Sequence, residues 1–276
     1  MKDCYNCGST GTVKPHDNLR MICSNCGAWI AILENTSDLA KLYSEKYFQG
    51  EEYIDYDRGA DVHSMNFRRK LNILRKIQPD FKSVRLLEIG SASGEFLREA
   101  TKHGITEAIG IEISEYAREK ARARNLNVMD PFDKDLIQKI KEFRPNLIIM
   151  WDVWEHLPEP SQILKSYLSL VEGQCIVAVT TVDAGSAVAK KRQVKWRQFH
   201  PPTHINYPTR KSFEFLFASL DYKIVERHYF GYYRPLAEYL VAILGKKSWI
   251  LNSHILFRIP LFLNLFDTQL VVARKS

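Results

Sequence analysis

The sequence predicts an α/β protein: a doubly wound, mainly parallel sheet preceded by a small metal-binding ribbon. Three observations carry this. From residue 85 onward, strand-like apolar runs alternate with helical stretches, as in a sheet covered by helices on both faces. The first run, Leu86-Leu87-Glu88-Ile89, breaks into Gly90-Ser91-Ala92-Ser93-Gly94 and then a helix. Near the N-terminus, Cys4, Cys7, Cys23 and Cys26 form the pattern C-x2-C-x15-C-x2-C.

The cysteine pattern comes first in the chain. A pair two residues apart can turn both sulfurs inward on one knuckle. Gly8 and Gly27 follow the two pairs and let the backbone close behind a metal. Two knuckles make a tetrahedral thiolate site, so a structural zinc is expected. Four thiolates fill the coordination sphere and argue against catalytic zinc. The ribbon spans residues 1–30 and is too short to bury much core, so the metal would largely fold it. Cys175 lies in an apolar strand and reads as core.

Residues 31–80 read as a helical lid or linker. Tyr53 and Tyr56 are candidate acceptor-pocket residues within an aromatic-rich stretch. An amphipathic helix over 67–77 is expected to leave Arg68, Arg69 and Lys70 in solvent. Strands are read at 85–89, 108–112, 126–129, 146–151, 174–180, 222–229 and 268–274. Helices are read at 94–103, 114–124, 133–142, 160–171 and 209–219. Parallel strands joined this way cross over right-handedly and bind ligands beyond their carboxyl ends. Glu88, Glu112, Asp130, Asp152 and Asp183 all fall at such ends.

The turn reads acidic-x-Gly-x-x-x-Gly, so neither phosphate-cradling glycine fingerprint is present. Glu88 places a carboxylate where an ammonium would be welcome. Glu112 ends the second strand, where a carboxylate can hold two ribose hydroxyls. An acid for an ammonium, glycines for close approach and an acid for a ribose suggest S-adenosylmethionine.

These motifs resemble the class I S-adenosylmethionine-dependent methyltransferases over most of residues 45–276. Asn146-Leu147-Ile148-Ile149-Met150-Trp151-Asp152-Val153-Trp154-Glu155-His156-Leu157-Pro158 is similar to that family's fourth strand and its continuation, with Asn146 where Asp is common. Trp196, with His200-Pro201-Pro202-Thr203-His204-Ile205-Asn206-Tyr207, is similar to a stretch in bacterial small-molecule and sugar methyltransferases. The resemblance implies a Rossmann-like, seven-stranded sheet with an antiparallel last strand, over residues 81–276. It implies a cofactor set of Glu88, Gly90, Ser91, Gly94, Glu112, Ile113, Asp130, Asp152 and Val153. His204 and His156 are the base candidates. Arg192, Trp196, His200 and Tyr207 are expected on the acceptor side.

A hydrophobic share of 45% gives a full core, and a net charge of +7 suits acidic or phosphorylated partners without the concentrated basic face of a nucleic-acid binder. The run Lys190, Lys191, Arg192, Lys195, Arg197 adjoins the expected acceptor mouth and could hold a phosphate or carboxylate. Residues 230–266 are an apolar excursion that reads as a pocket cap, a membrane-lying face or a dimer interface. The opening Met1-Lys2-Asp3-Cys4 carries no apolar targeting segment, so a cytoplasmic protein is expected, with peripheral membrane contact open through 230–266. The leading expectation is O-methylation of a sugar, nucleotide sugar or related small molecule. A lipid-linked or quinone-like acceptor is a second reading. RNA gripped by the ribbon is a third, but Asp152-Val153-Trp154-Glu155 lacks the Asn/Asp-Pro-Pro-Tyr signature of amino-directed nucleic-acid enzymes.

Overall fold

A computed structural model describes residues 2–33 and 60–276. Seven strands form the central sheet: β4 (Arg85–Ile89), β5 (Glu107–Ile111), β6 (Val128–Met129), β7 (Leu147–Trp151), β8 (Ile176–Val182), β10 (Tyr222–Tyr229) and β13 (Thr268–Lys275). Their order is β10-β13-β8-β7-β4-β5-β6. The pairs β8-β7, β7-β4, β4-β5 and β5-β6 are parallel, whereas β13 runs antiparallel to both β8 and β10. The last strand is therefore the antiparallel one, inserted one place in from the edge, and β10 forms the edge itself.

Alternation along the strands explains the two cores. Leu87, Ile89, Ile148, Met150, Val177 and Val179 point to one face, under α4 (Leu136–Phe143), α5 (Pro160–Leu168) and α7 (Arg210–Ala218). Leu86, Leu147, Ile149, Trp151 and Ala178 point to the other, under α1 (Ala60–Ile77), α2 (Glu95–Lys102) and α3 (Glu115–Arg122). With both faces covered, central strands read as continuous apolar runs. Asn146 serves this framework: its Oδ1 accepts from the Arg85 amide at 2.8 Å and its Nδ2 donates to Ser83 O at 2.8 Å.

The ribbon has strands β1 (Val13–Pro15), β2 (Arg20–Cys23) and β3 (Trp29–Ala31). Its sheet does not close on itself. The fourth strand, β9 (Asn206–Tyr207), comes from the loop after α6 (Ala187–Arg192) and pairs with β3. Trp29 packs edge-on to Trp196, with centroids 6.0 Å apart, and lies against Phe199 and Tyr207. The ribbon is thus built into the larger domain.

The segment 230–266 folds into an antiparallel hairpin, β11 (Tyr232–Pro235) with β12 (Pro260–Leu263), spanned by α8 (Leu236–Leu244), α9 (Ser248–Leu251) and α10 (His254–Arg258). Ala237, Ile250 and Phe257 form a small core of their own, while Ile243, Trp249 and Ile255 are exposed. Among the described residues, no helix is long and apolar enough to cross a membrane.

The α1 helix corrects one expectation. Arg68 is exposed, but Lys70 is buried and Arg69 lies over the rings of Phe230 and Phe262. The hairpin covers that face of α1 and takes the Arg69 guanidinium on the carbonyl of Gly231.

Candidate active site

The turn after β4 is folded back onto β5. The amides of Gly90 and Ser91 donate to Ile111 O at 2.8 and 3.1 Å. Gly110 makes room for this, because a Cβ there would meet Ser91 Oγ at 2.4 Å. Gly90 has φ +72° and sits against Val153, whose side chain would lie 2.3 Å from an added Cβ. Gly94, at φ +79°, caps α2. Both glycines therefore occupy left-handed backbone in crowded places, where a side chain has no room.

Two carboxylates flank this turn. Glu112 accepts from the amides of Ala92 and Ser114 at 2.9 and 2.8 Å, which fixes its orientation at the tip of β5. Burial raises its carboxyl above the ordinary range, and those amides oppose the rise. Glu88 is 3% exposed, and its Oε2 has no hydrogen-bond partner among the described residues. Burial pushes its carboxyl well above the usual range, with Lys70 opposing and Glu95 and Glu112 adding. Ser91 Oγ and Trp151 Nε1 are also buried without partners. Native interiors seldom leave such atoms unpaired. Orphaned polar atoms gathered at the ends of the central strands fit a ligand carrying an ammonium and hydroxyls, as S-adenosylmethionine does.

Arg118 was not anticipated from sequence. It is buried on α3, donates to the carbonyls of Glu112 and Ile113 at 2.8 and 2.7 Å, and pairs with Asp130 Oδ2 at 2.7 Å. It ties the ends of β5 and β6 into one wall, with Ile113 on the surface beside it. An arginine at a helix i+4 position carries no local signal of this role.

Asp152 stands at the tip of β7 with φ +55°. Its Oδ2 is 3.0 Å from Lys70 Nζ, and its Oδ1 accepts from the Tyr232 hydroxyl. Burial alone would raise its carboxyl, but Lys70 and Tyr232 outweigh this and hold it below the usual range. The carboxylate expected to face the cofactor is thus engaged by α1 and the hairpin. The Lys70 ammonium lies 4.8 Å over the Trp151 ring and 5.4 Å over that of Phe230, the aromatic setting that favours a desolvated cation.

Next along the chain, Glu155 and His156 meet His204. One ligand-capable atom from each lies within 4.8 Å of the others. Glu155 Oε2 accepts from Thr181 Oγ1 at 2.7 Å, and its carbonyl accepts from the Ile205 amide at 2.8 Å. His156 Nδ1 bonds Thr203 O and His204 Nδ1 bonds Gln198 O, each at 2.9 Å. Their ring centroids are 4.6 Å apart, and His200 lies tilted against His204 with centroids 3.8 Å apart. Burial, with Asp152 adding, pushes the Glu155 carboxyl up to about 8. Burial draws His156 down to about 4 and His204 well below the ordinary imidazole value, so both rings are neutral at pH 7.

The other acceptor-side expectations separate. Trp196 and Tyr207 are 1% and 0% exposed, and they pack the joint with Trp29 rather than the strand-end crevice. Trp196 Nε1 is held by Asp267 at 2.9 Å, and the Tyr207 hydroxyl by His204 O at 2.7 Å. Sequence spacing placed them near the site but could not show that the ribbon would cover them. Arg192 is exposed at the end of α6. Asp183 accepts from the Gly185 amide at 2.8 Å. Tyr53 and Tyr56 lie outside the described residues.

The four cysteines form a second cluster. Cys4 and Cys26 Sγ are 3.8 Å apart, Cys7 and Cys23 Sγ 4.0 Å, and all four lie within 4.8 Å of one another. Thiolates about 2.3 Å from a tetrahedral zinc stand roughly 3.8 Å apart, so the cluster is compatible with a small zinc site. Both knuckles repeat one geometry: Gly8 N donates to Cys4 O at 2.8 Å and Gly27 N to Cys23 O at 2.9 Å. The knuckle between Cys4 and Cys7 also reaches the active-site loop. Asn6 Oδ1 accepts from Trp154 Nε1 at 2.9 Å, and its Nδ2 donates to Asn206 Oδ1 at 3.1 Å.

Residues 62–227 match the model of a family described as a methyltransferase domain. No curated protein sequence matches the chain. The fold is similar to that of YcgJ from Bacillus subtilis, with 12% identity, 76% of this chain and 99% of that one covered, and a TM-score of 0.53. It is also similar to magnesium protoporphyrin IX methyltransferase from Synechocystis, solved with bound S-adenosylhomocysteine, at 11% identity, 84% and 97% coverage and a TM-score of 0.51. The plantazolicin methyltransferase BpumL matches at 16% identity, 86% and 94% coverage and a TM-score of 0.50. The family match spans more than half of the chain, which belongs to the methyltransferase-domain family and is an S-adenosylmethionine-dependent methyltransferase.

Proposed function

We propose that the chain O-methylates a sugar, nucleotide sugar or related small molecule. The observation that carries this reading is the Glu155, His156 and His204 cluster, which lies beside Asp152 at the end of the central strand β7. A hydroxyl acceptor has to lose a proton, and proton-handling groups are needed where it meets the methyl donor. His156 and His204 are assigned that task here. S-adenosylmethionine supplies a methyl group on a cationic sulfur. In this reading Glu88, Gly90, Ser91 and Gly94 receive its amino-acid end. Glu112, Ile113 and Asp130 receive its nucleoside end, and Val153 walls the turn. His200 and the exposed Arg192 are assigned to the acceptor side, where a phosphate would suit the basic run. A structural zinc held by Cys4, Cys7, Cys23 and Cys26 completes the reading.

The test is labelled methyl transfer to a panel of nucleotide sugars, glycolipids and RNA. Incorporation on a sugar hydroxyl is expected, with His156→Ala and His204→Ala each lowering turnover on the order of a hundredfold. Labelling of RNA alone, or of a lipid alone, would replace the sugar reading.

A further inference from the structure

We infer that Glu155, His156 and His204 form a second metal site, distinct from the cysteine cluster, that takes a first-row divalent cation. The inference rests on the reading above only for placing the acceptor hydroxyl next to this cluster. The donor set is two imidazoles and one carboxylate, which suits zinc, manganese, iron(II) or cobalt(II). One donor atom from each residue already lies within 4.8 Å of the other two, a spread that small side-chain adjustments can close around an ion.

The surroundings of the rings are those of ligating histidines. A carbonyl oxygen only accepts, so the bonds from His156 Nδ1 to Thr203 O and from His204 Nδ1 to Gln198 O place the proton on Nδ1 in both rings. The Nε2 of each is then the nitrogen with the lone pair. Metal-binding histidines are held in this way, with the far ring nitrogen tied to a carbonyl or carboxylate. Glu155 is likewise fixed, by the Thr181 hydroxyl at 2.7 Å. The three residues come from two loops that are themselves joined, since the Ile205 amide donates to Glu155 O at 2.8 Å.

With a cation bound, the two imidazoles would hold it in place of taking the proton themselves, and the cation would lower the pKa of a bound acceptor hydroxyl. The O–H bond breaks and its proton leaves to water. The oxygen then forms a bond to the methyl carbon as the methyl–sulfur bond breaks, and the sulfur keeps that electron pair. The products are the methyl ether and S-adenosylhomocysteine.

The experiment is a cobalt(II) titration of the full chain as purified, after dialysis against a mild chelator that leaves the thiolate metal in place. Cobalt bound to nitrogen and oxygen gives weak visible bands, whereas cobalt on cysteines adds intense thiolate charge transfer in the near ultraviolet. One equivalent is expected with the weak bands alone. Affinity should fall roughly tenfold to a hundredfold or more in Glu155→Gln and His204→Asn, judged against the effect of lesser changes around metal ligands. Glu155→Gln keeps the acceptor for Thr181, so circular dichroism and S-adenosylmethionine affinity should be retained in at least that variant. No cobalt uptake by the wild type, thiolate bands only, or equal uptake by the Glu155→Gln variant overturns the site. Because the titration uses neither methyl donor nor acceptor, its failure leaves the O-methylation reading standing. Failure of the acceptor panel likewise leaves a demonstrated cation site standing.

Discussion

Asn6→Ala probes the coupling between the ribbon and the active-site loop most sharply. Asn6 is fully buried between two cysteines, yet both halves of its amide serve the larger domain. The substitution leaves Trp154 Nε1 without its acceptor and Asn206 Oδ1 without its donor. Each buried group so stranded costs about 1–3 kcal/mol, so the loss should be roughly 2–6 kcal/mol. A total stability of about 5–15 kcal/mol makes that a large fraction. The damage is local to two segments, because Trp154 precedes Glu155 and Asn206 follows His204 by two residues. Asn206 Nδ2 also donates to Leu157 O at 2.5 Å, which joins the two segments directly. Urea unfolding would measure the stability change, and hydrogen exchange would locate it. Faster exchange is expected around residues 154–157 and 203–207, with lower turnover and unchanged metal content. A change below about 0.5 kcal/mol, the size of an ordinary surface substitution, would refute the coupling.

Three further outcomes are expected. Glu88→Gln should weaken S-adenosylmethionine binding by about 1.5–3 kcal/mol in calorimetry, the worth of a hydrogen bond to a charged group. The same variant should stabilise the ligand-free chain: the folded carboxyl titrates above its ordinary 4.5, so the wild type loses stability as pH rises past that value, and the glutamine variant should not. Lys70→Met should cost about 3 kcal/mol in urea unfolding, the low end for a broken buried pair because Asp152 is only half-buried. Cys23→Ser should lower the zinc content measured by elemental analysis and reduce turnover too. The second effect follows from Cys26, whose carbonyl and sulfur accept from Thr209 and Ser212 at 2.6 and 3.3 Å at the start of α7.

Much of the architecture was legible because its signals are local. The strands β4, β5, β7 and β8 are apolar runs of five to seven residues, and the acids at their tips, Glu88, Glu112 and Asp152, follow from where those runs stop. The cysteine pairs and their glycines are equally local. What stayed hidden depends on partners far away in sequence. Strand β9 is two residues long, and its pairing with Trp29 and Ile30 leaves no trace in the residues around it. Lys70 and Arg69 read as a solvated helix face because polar residues on a helix do not reveal that an aromatic hairpin will cover them. The same blindness put Trp196 and Tyr207 on the acceptor: an aromatic near a pocket and an aromatic in a joint look alike until the ribbon is in place. The meeting of Glu155, His156 and His204 joins residues 48 or more apart through the loop that β9 anchors.

The central claim is that the methyl donor sits across the ends of β4 and β5. Calorimetric titration of S-adenosylmethionine into the wild type and Glu112→Ala tests it most directly. The account predicts one molecule bound per chain and a loss of about 1–3 kcal/mol in the variant, from the missing ribose hydrogen bonds. Equal affinity in the two proteins, with the variant folded, would contradict it.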